Sequence, residues 1–203
     1  MASELQVTTI RGVPTGANAN QIVVPSGQTL AAPGHIIQVE QALKQDHQTI
    51  GPGGTSPNFV DVSNLSVTIT PKFANSKFLV FLSISLSHCD SDTGHLRLMR
   101  DSTPICVGFD DVGTNGGFPP ATFSVRQYSH NATSSTSHYI SHPYVVEFLD
   151  APNTANAITY KCQIWSTAGS QSTNVNRPLF YNNTTDYNMG RQASMLTVKE
   201  IAQ

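Results

Sequence analysis

Two histidines, His138 and His142, have the spacing that comes nearest to a metal site in this sequence. They lie four residues apart in HYISH, so on a strand both rings would lie on the same side and could reach one metal ion. The supporting cluster of further ligands that a metal centre needs does not accompany them in the sequence. We therefore predict structural histidines here, and no metal and no cofactor for the chain.

Two acidic pairs are the next candidates, since carboxylates are hard oxygen ligands. Asp90 and Asp92, and likewise Asp110 and Asp111, could bind calcium, but the EF-hand spacing with its closing Glu follows neither pair. Both pairs are predicted to be solvated turn residues that accept backbone hydrogen bonds. No GxSxG or comparable motif brings a nucleophile to a base, and no acidic pair has a recognisable catalytic setting. We predict that the chain is not an enzyme.

The three cysteines, Cys89, Cys106 and Cys162, are odd in number and lack CxxC spacing. Neither a complete disulfide framework nor a zinc ribbon is indicated, and buried thiols are the better interpretation.

Charge and hydropathy exclude two classes of partner. Charged residues make up 12% of the chain and the formal net charge is −2, with no cluster of Lys and Arg that could follow a phosphate backbone. The longest apolar run, Phe78 to Leu86, is far shorter than the ~20 residues that cross a bilayer, and no secretion signal is expected at the start of the chain. We expect neither nucleic-acid binding nor membrane insertion.

The elements that position these side chains are predicted to be strands. Ser and Thr together number 42 and Asn 14, a composition typical of β-rich and loop-rich proteins. Leu65, Val67 and Ile69 alternate with hydroxyl residues, which predicts a strand with one wet face. HIIQVEQAL fits a strand by alternation or a short helix by the spacing of Ile36, Val39 and Leu43, and we favour the strand.

Further segments have the same character, and no long amphipathic helix is indicated. Residues 77–87 predict a long strand buried on both faces in its first half, which should form a hairpin with the segment that starts at residue 95. Closing strands are predicted at residues 139–149, 157–165 and 193–201. Roughly eight to ten strands at regular spacing predict an all-β fold that fits the β-sandwich and jelly-roll templates.

Residues 1–35 differ from this pattern, because glycines and prolines interrupt short β-prone pieces that cannot close a core of their own. We predict an extended N-terminal anchoring arm over residues 1–35 and a knob over residues 36–203. The apolar residues of the arm alternate in strand fashion and could add to a neighbouring sheet. These anchoring candidates are Leu5, Val7, Ile10, Ile22, Val23 and Val24.

Polar loops are candidates for recognition of sugars or protein, because they are rich in Asn, Tyr and Gly. Any loop of a low-charge β protein has a similar composition. The candidates are Asp110, Asp111, Asn115, Phe118, Asn182, Asn183 and Tyr187.

Several segments together resemble a family of small bacteriophage virion surface proteins and fibre-tip domains, cyanophage proteins especially. The most specific are LSVTITPKFANSKFLV, FLDAPNTANAITYK and the terminal LTVKEIA, and the opening MASELQVTTIRG is similar to the start of short phage structural proteins that dock by their N-terminus. The resemblance implies a jelly roll like those of the tumour-necrosis-factor and complement-head group, assembled as a homotrimer.

The resemblance leaves two structural roles on the virion surface open for a protein made in the host bacterial cytoplasm. One is a capsid decoration (cement) protein whose arm binds the major capsid protein or another virion protein. The other is a short tail fibre or fibre tip, although a fibre normally has a long shaft and the segment outside the knob spans at most ~120 Å. Length favours decoration. The sequence does not determine which strands line the trimer axis, and Phe148, Tyr160 and Ile164 are candidates for the trimer core.

Overall fold

The computed structural model describes residues 32–54, 57–88, 93–108, 120–125, 141–167, 172–179 and 190–203, together with residues 9, 15, 24, 26 and 30. In this part of the chain every regular element is a β-strand. The eleven strands are β1 (Ile36–Lys44), β2 (Gln48–Ile50), β3 (Val60–Ile69), β4 (Lys77–Ser87), β5 (Gly94–Arg100), β6 (Thr103–Ile105), β7 (Phe123–Val125), β8 (His142–Asp150), β9 (Ile158–Ser166), β10 (Thr173–Val175) and β11 (Ser194–Ile201).

The strands form two antiparallel sheets that pack face to face. In the larger sheet the order is β1-β11-β4-β10-β2, with β8 on the other side of β4. In the smaller sheet the order is β3-β9-β5-β6, with β7 also beside β5. The predicted all-β class is confirmed, and the arrangement is consistent with a jelly-roll β-sandwich. No helix in the described residues is long and apolar enough to cross a membrane.

Alternating side chains explain why these segments became strands and which side of each is buried. In β3, Leu65, Val67 and Ile69 point into the sandwich and are at most 4% exposed, whereas the hydroxyl residues between them face outward. Strand β9 repeats the pattern on the same sheet, with Tyr160 and Cys162 among its inward residues. Both sheets therefore contribute one apolar face each to a common core.

Strand β1 confirms the strand prediction for HIIQVEQAL, residues 35–43, and explains the ambiguous spacing of that segment. Its pairing with β11 shifts by one residue between Ile36 and Gln38, which is a β-bulge. The extra residue is the reason why two outward residues, Ile36 and Val39, stand three apart instead of two or four. Just before the strand, Gly34 has a φ of +84°, a backbone conformation that favours glycine.

Two predictions about β4 are wrong. Its first half is not buried on both faces, since Leu79 and Phe81 are only half-buried on the outer side. The half that is buried on both faces is the second, where the Ser87 hydroxyl donates to the carbonyl of Arg177 over 2.8 Å and Ser85 bonds to Gln192. Strands β4 and β5 also form no hairpin, because they lie in different sheets; the hairpin is β5 with β6.

The end of the chain fastens a turn at the start of β4. Glu200 is fully buried, and its Oε1 accepts hydrogen bonds from the backbone amides of Lys72, at 2.7 Å, and Phe73, at 3.4 Å. Strand β11 pairs with β4 from Met195 to Ile201 directly beside this turn. Two of the segments that carry the sequence resemblance, LSVTITPKFANSKFLV and LTVKEIA, are thus joined in one structural unit.

Candidate assembly surface

The outer face of the larger sheet is apolar and forms the candidate functional surface. Inward residues of β4 such as Val80 and Leu82 are fully buried in the core, so the residues between them must point away from it. Those outward residues include Leu79 and Phe81, large hydrophobic side chains that are only half-buried. A folded domain usually places such residues inside, and a contiguous group of them outside indicates a contact surface.

The strand register arranges this surface in three rows across β8, β4, β11 and β1. The Leu79 row contains Leu149, Leu79, Lys199 and Val39. The Phe81 row contains Glu147, Phe81, Thr197 and Gln41. The Ser83 row contains Val145, Ser83, Met195 and Leu43. We call these three rows together the apolar face.

The two edges of the apolar face carry its most exposed hydrophobic side chains. On the β8 edge Val145 is 52% and Leu149 50% exposed, and on the β1 edge Val39 is 53% and Leu43 54% exposed. Between the edges, Gln41 donates from Nε2 to Thr197 Oγ1 over 2.8 Å, so the middle row keeps a polar strip beside Phe81. Each edge therefore presents two apolar side chains separated by one polar side chain.

The outer face of the smaller sheet has the opposite character, because its polar groups bind one another. Asp61 on β3 accepts from Lys161 Nζ over 2.8 Å and from Gln163 Nε2 over 2.6 Å, both on β9. Gln163 Oε1 in turn accepts from Arg97 on β5, whose guanidinium lies 3.9 Å above the ring of Phe59. These polar side chains are thus paired within the single chain.

The electrostatics of Asp61 fit a face that stays in water. Partial burial pushes the pKa of its carboxyl upward, but the hydrogen bonds from Lys161 and Gln163 outweigh that effect and leave the pKa below its usual range. Asp61 is therefore ionised at neutral pH and holds β3 to β9 across the sheet.

Comparisons with known proteins give only remote similarities. No protein-family model matches the chain, and no curated protein matches it. A structure of infectious bursal disease virus, Gt strain, is 12% identical over 97% of this chain and 47% of that chain, with a TM-score of 0.38. A mutant VP2 protein of the same virus in derived T=1 particles is 10% identical over 93% of this chain and 42% of that chain, with a TM-score of 0.37. The chain thus spans less than half the length of these proteins, and a likeness this low assigns no function.

The structure corrects two of the three candidates for the trimer core. Tyr160 is 0% and Ile164 1% exposed, and both pack in the core between the two sheets. A fully buried side chain has no surface left for a second subunit, so these two serve the interior of one chain. Phe148 is half-buried and packs against the same core from β8.

Most of the other predicted site residues lie outside the described residues. Val24 of the arm is described and is 41% exposed, and His142 lies exposed at the start of β8. In the described part of the chain no three His, Cys, Asp or Glu side chains come together in a group that could hold a metal ion. The residues outside are Leu5, Val7, Ile10, Ile22, Val23, Cys89, Asp90, Asp92, Asp110, Asp111, Asn115, Phe118, His138, Asn182, Asn183 and Tyr187.

The two described cysteines differ in accessibility. Both are free, Cys162 is completely buried, and Cys106 is half-buried directly after β6. Burial raises the pKa of the Cys162 thiol to about 12, and burial also raises the pKa of Cys106. The prediction of a buried thiol is confirmed for Cys162.

This difference predicts how the thiols react with a maleimide in the native protein. Only the thiolate reacts with a maleimide. Cys162 should therefore be labelled at least roughly 100-fold more slowly in the native protein than in the protein unfolded in guanidinium, and mildly alkaline pH should not ionise it. Peptide mass spectrometry after timed labelling reads each cysteine separately, and Cys162→Ser assigns the slow signal. Fast labelling of Cys162 in the native state would show that β9 is not packed as described.

Sequence reasoning missed the apolar face, although two signals for it were present. In β4 apolar residues occur at both alternating positions, and only the set that includes Val80 and Leu82 fits in the core. In β1 the spacing of Ile36, Val39 and Leu43 also fits a helix, whereas these residues are the outward-facing side chains of one bulged strand. A strand with apolar residues at both alternating positions therefore indicates such a surface, because only one of its two sides can face the core.

Proposed function

We propose that this chain is a non-enzymatic structural protein of a bacteriophage virion, a homotrimeric decoration protein that anchors by residues 1–35 and stabilises the capsid shell. The knob would sit at local three-fold positions and bridge neighbouring capsid subunits. The observation that carries the proposal is the apolar face, because it leaves large hydrophobic side chains such as Leu149 and Val39 half-exposed on one subunit. The resemblance of the quoted segments to small phage virion proteins supports the virion setting.

The way the chain enters the knob supports an anchoring arm. The amide of Gly34 donates to the carbonyl of Ala202 over 2.8 Å, and the amide of Ala202 donates to the carbonyl of His35 over 2.9 Å. These bonds fix the entry point beside the last strand, at an edge of the larger sheet. An arm that starts from a fixed point can reach a partner's sheet and pair with its edge, and three arms per trimer raise the avidity. The partner proposed is the major capsid protein or another virion protein.

Particles assembled without this chain should lose resistance to heat and to osmotic shock, because the shell would lack the bridges that oppose its internal pressure. Infectivity after graded heating measures the effect against wild-type particles. Adding back the full chain should restore resistance, whereas a chain that lacks residues 1–31 should fold but fail to bind the particle. Unchanged resistance together with lost adsorption to host cells would contradict decoration.

The second candidate is a short tail fibre or fibre tip that binds a host glycan or protein through its polar loops. The resemblance includes fibre-tip domains, and the segments rich in Asn, Tyr and Gly that are predicted as loops suit polar recognition. Copy number separates the two roles. Hundreds of copies per purified particle, measured by quantitative gel densitometry, support the shell, and a few tens or fewer support the tail.

A further inference from the structure

We infer that the apolar face is the contact of the trimer, with three copies of the face enclosing a three-fold axis parallel to the strands. The β8 edge of each subunit would then lie against the β1 edge of the next. This inference rests on the trimer in the proposed function and adds to it the surface and the residues that meet. The occupant of the apolar face is a second and a third copy of the same chain.

The row structure of the face supports this arrangement. Rotation about an axis parallel to the strands leaves every row at its own height, so each row of one subunit meets the same row of its neighbour. In the Leu79 row, Leu149 then meets Val39, and both are about half-exposed in the single subunit. In the Ser83 row, Val145 meets Leu43, and both are likewise about half-exposed.

The polar middle row also matches itself. In the Phe81 row, Glu147 on the β8 edge meets Gln41 on the β1 edge of the neighbour. A carboxylate accepts and an amide nitrogen donates. Gln41 Nε2 keeps one N–H on Thr197. Its second N–H, which reaches only Met195 Sδ at 3.9 Å in the single chain, can donate to Glu147 between the hydrophobic pairs above and below. The two edges are therefore complementary in order: apolar opposite apolar, acceptor opposite donor, apolar opposite apolar.

The width of the face fits three copies around an axis. Packed sheets lie ~10 Å apart, so side chains fill ~5 Å on the outer side of each sheet. A triangle whose sides lie ~5 Å from its centre has sides of ~17 Å, and four strands spaced ~4.8 Å apart occupy ~19 Å. Three four-stranded faces can thus close into a triangular prism whose centre is filled by their own side chains. Strands β4 and β11 lie nearest the axis, and β8 and β1 lie at the corners.

One residue opposes this packing and provides a test. Lys199 is on β11 in the Leu79 row, so three copies would bring three ammonium groups close to the axis. The long side chain can cover apolar neighbours with its methylene groups and extend its charge toward the open end of the prism, but the mutual repulsion remains. Removing this charge should strengthen the trimer if the apolar face lies at the axis. If the subunits assemble through another surface, the same change should have no effect on the trimer.

The outer face of the smaller sheet is a poor alternative for this contact. Its charged groups, Asp61, Lys161 and Arg97, already bind partners within the same chain. Burying them against another subunit would cost desolvation without supplying new partners. Of the two outer faces, the apolar face is therefore the better contact between subunits.

The test introduces opposite charges on β1 and β8, at the corner where these strands of neighbouring subunits would meet. The oligomeric state of the full chain is measured by analytical ultracentrifugation over a range of protein concentrations. Val39→Lys alone and Leu149→Glu alone should each raise the concentration at which the trimer half-dissociates by roughly tenfold or more, since each buries three unpaired charges. Both substitutions in one chain should recover most of the loss, because the introduced ammonium and the introduced carboxylate would then face each other between subunits. Lys199→Met should lower the half-dissociation concentration.

Ser66→Glu is the matched control, because Ser66 is exposed on the outer face of the smaller sheet opposite Lys161. It should leave the trimer unchanged. Circular dichroism and thermal unfolding of each variant at low concentration separate lost assembly from lost folding.

A wild-type trimer that both single variants leave intact would overturn the apolar face as the contact, while the trimer and the decoration role would stand. A wild-type monomer or dimer would overturn the inference and also the trimer of the proposed function. The heat resistance of particles is read in a separate experiment, so a failure of the decoration role leaves the result on the contact surface unaffected.

Discussion

Replacing Asp150 by Ala is expected to lower the free energy of unfolding by about 2 to 3 kcal/mol, since it breaks the ion pair between a buried carboxylate and the partly exposed Arg100 and removes the partner of a buried hydroxyl. Asp150 at the end of β8 accepts from Arg100 Nη1 and from the Tyr160 hydroxyl, each over 2.7 Å. Burial is the main reason why the pKa of Tyr160 lies far above its usual value, and the hydrogen bond to Asp150 raises it further. The hydroxyl therefore remains a donor that needs this acceptor.

Urea unfolding at a protein concentration too low for subunit association measures this loss in the free energy of unfolding. Asp150→Asn keeps an oxygen that can accept from Tyr160 and should cost clearly less than Asp150→Ala. Tyr160→Phe removes the donor together with its need for a partner, so in a double-mutant cycle the two changes should cost less than their sum. Strictly additive losses would mean that the two side chains do not interact.

The second large effect is expected for Leu82→Ala, at about 3 kcal/mol, because it leaves a cavity between the sheets. Leu82 is fully buried at the centre of β4 and pairs with Leu196 on one side and Val146 on the other. Its neighbour in sequence, Phe81, is larger but lies half-buried on the apolar face. Phe81→Ala should therefore cost less in the unfolding of a single subunit, although it removes more carbon atoms.

The pair of variants also separates folding from assembly. Phe81→Ala should weaken the trimer more than Leu82→Ala does, once both are compared at a urea concentration where each remains folded. Sedimentation of the two variants at matched concentrations gives the comparison. Equal effects of the two changes on unfolding would mean that both sides of β4 are equally buried in one subunit, contrary to the described packing.

Strand positions could be predicted from the sequence where one face is apolar and the other is hydroxylated. The alternation around Leu65 and Val67 in β3, and the similar pattern of β9, place the strands close to their observed bounds. Such a pattern is local, because side chains alternate between the two sides of any strand whatever it pairs with.

The partners of each strand could not be predicted in this way. The hairpin expected between β4 and β5 is absent because the chain crosses to the other sheet between them. An aromatic residue on a strand, such as Tyr160, can face either the core or a partner subunit, and only the position of the second sheet distinguishes the two. The proposed anchoring arm stays a prediction.

The sequence by itself determined that the chain is built from strands and which residues of most strands share a side. The tertiary structure decided which of those sides is covered, since burial depends on residues far away in the chain. Leu82 and Leu79 are both apolar residues of β4. The smaller sheet covers the side that carries Leu82, so Leu82 lies in the core and Leu79 stays at the surface. It also decided the row register across β8, β4, β11 and β1, because hydrogen bonds between distant segments set it. That register creates the complementary edges of the apolar face.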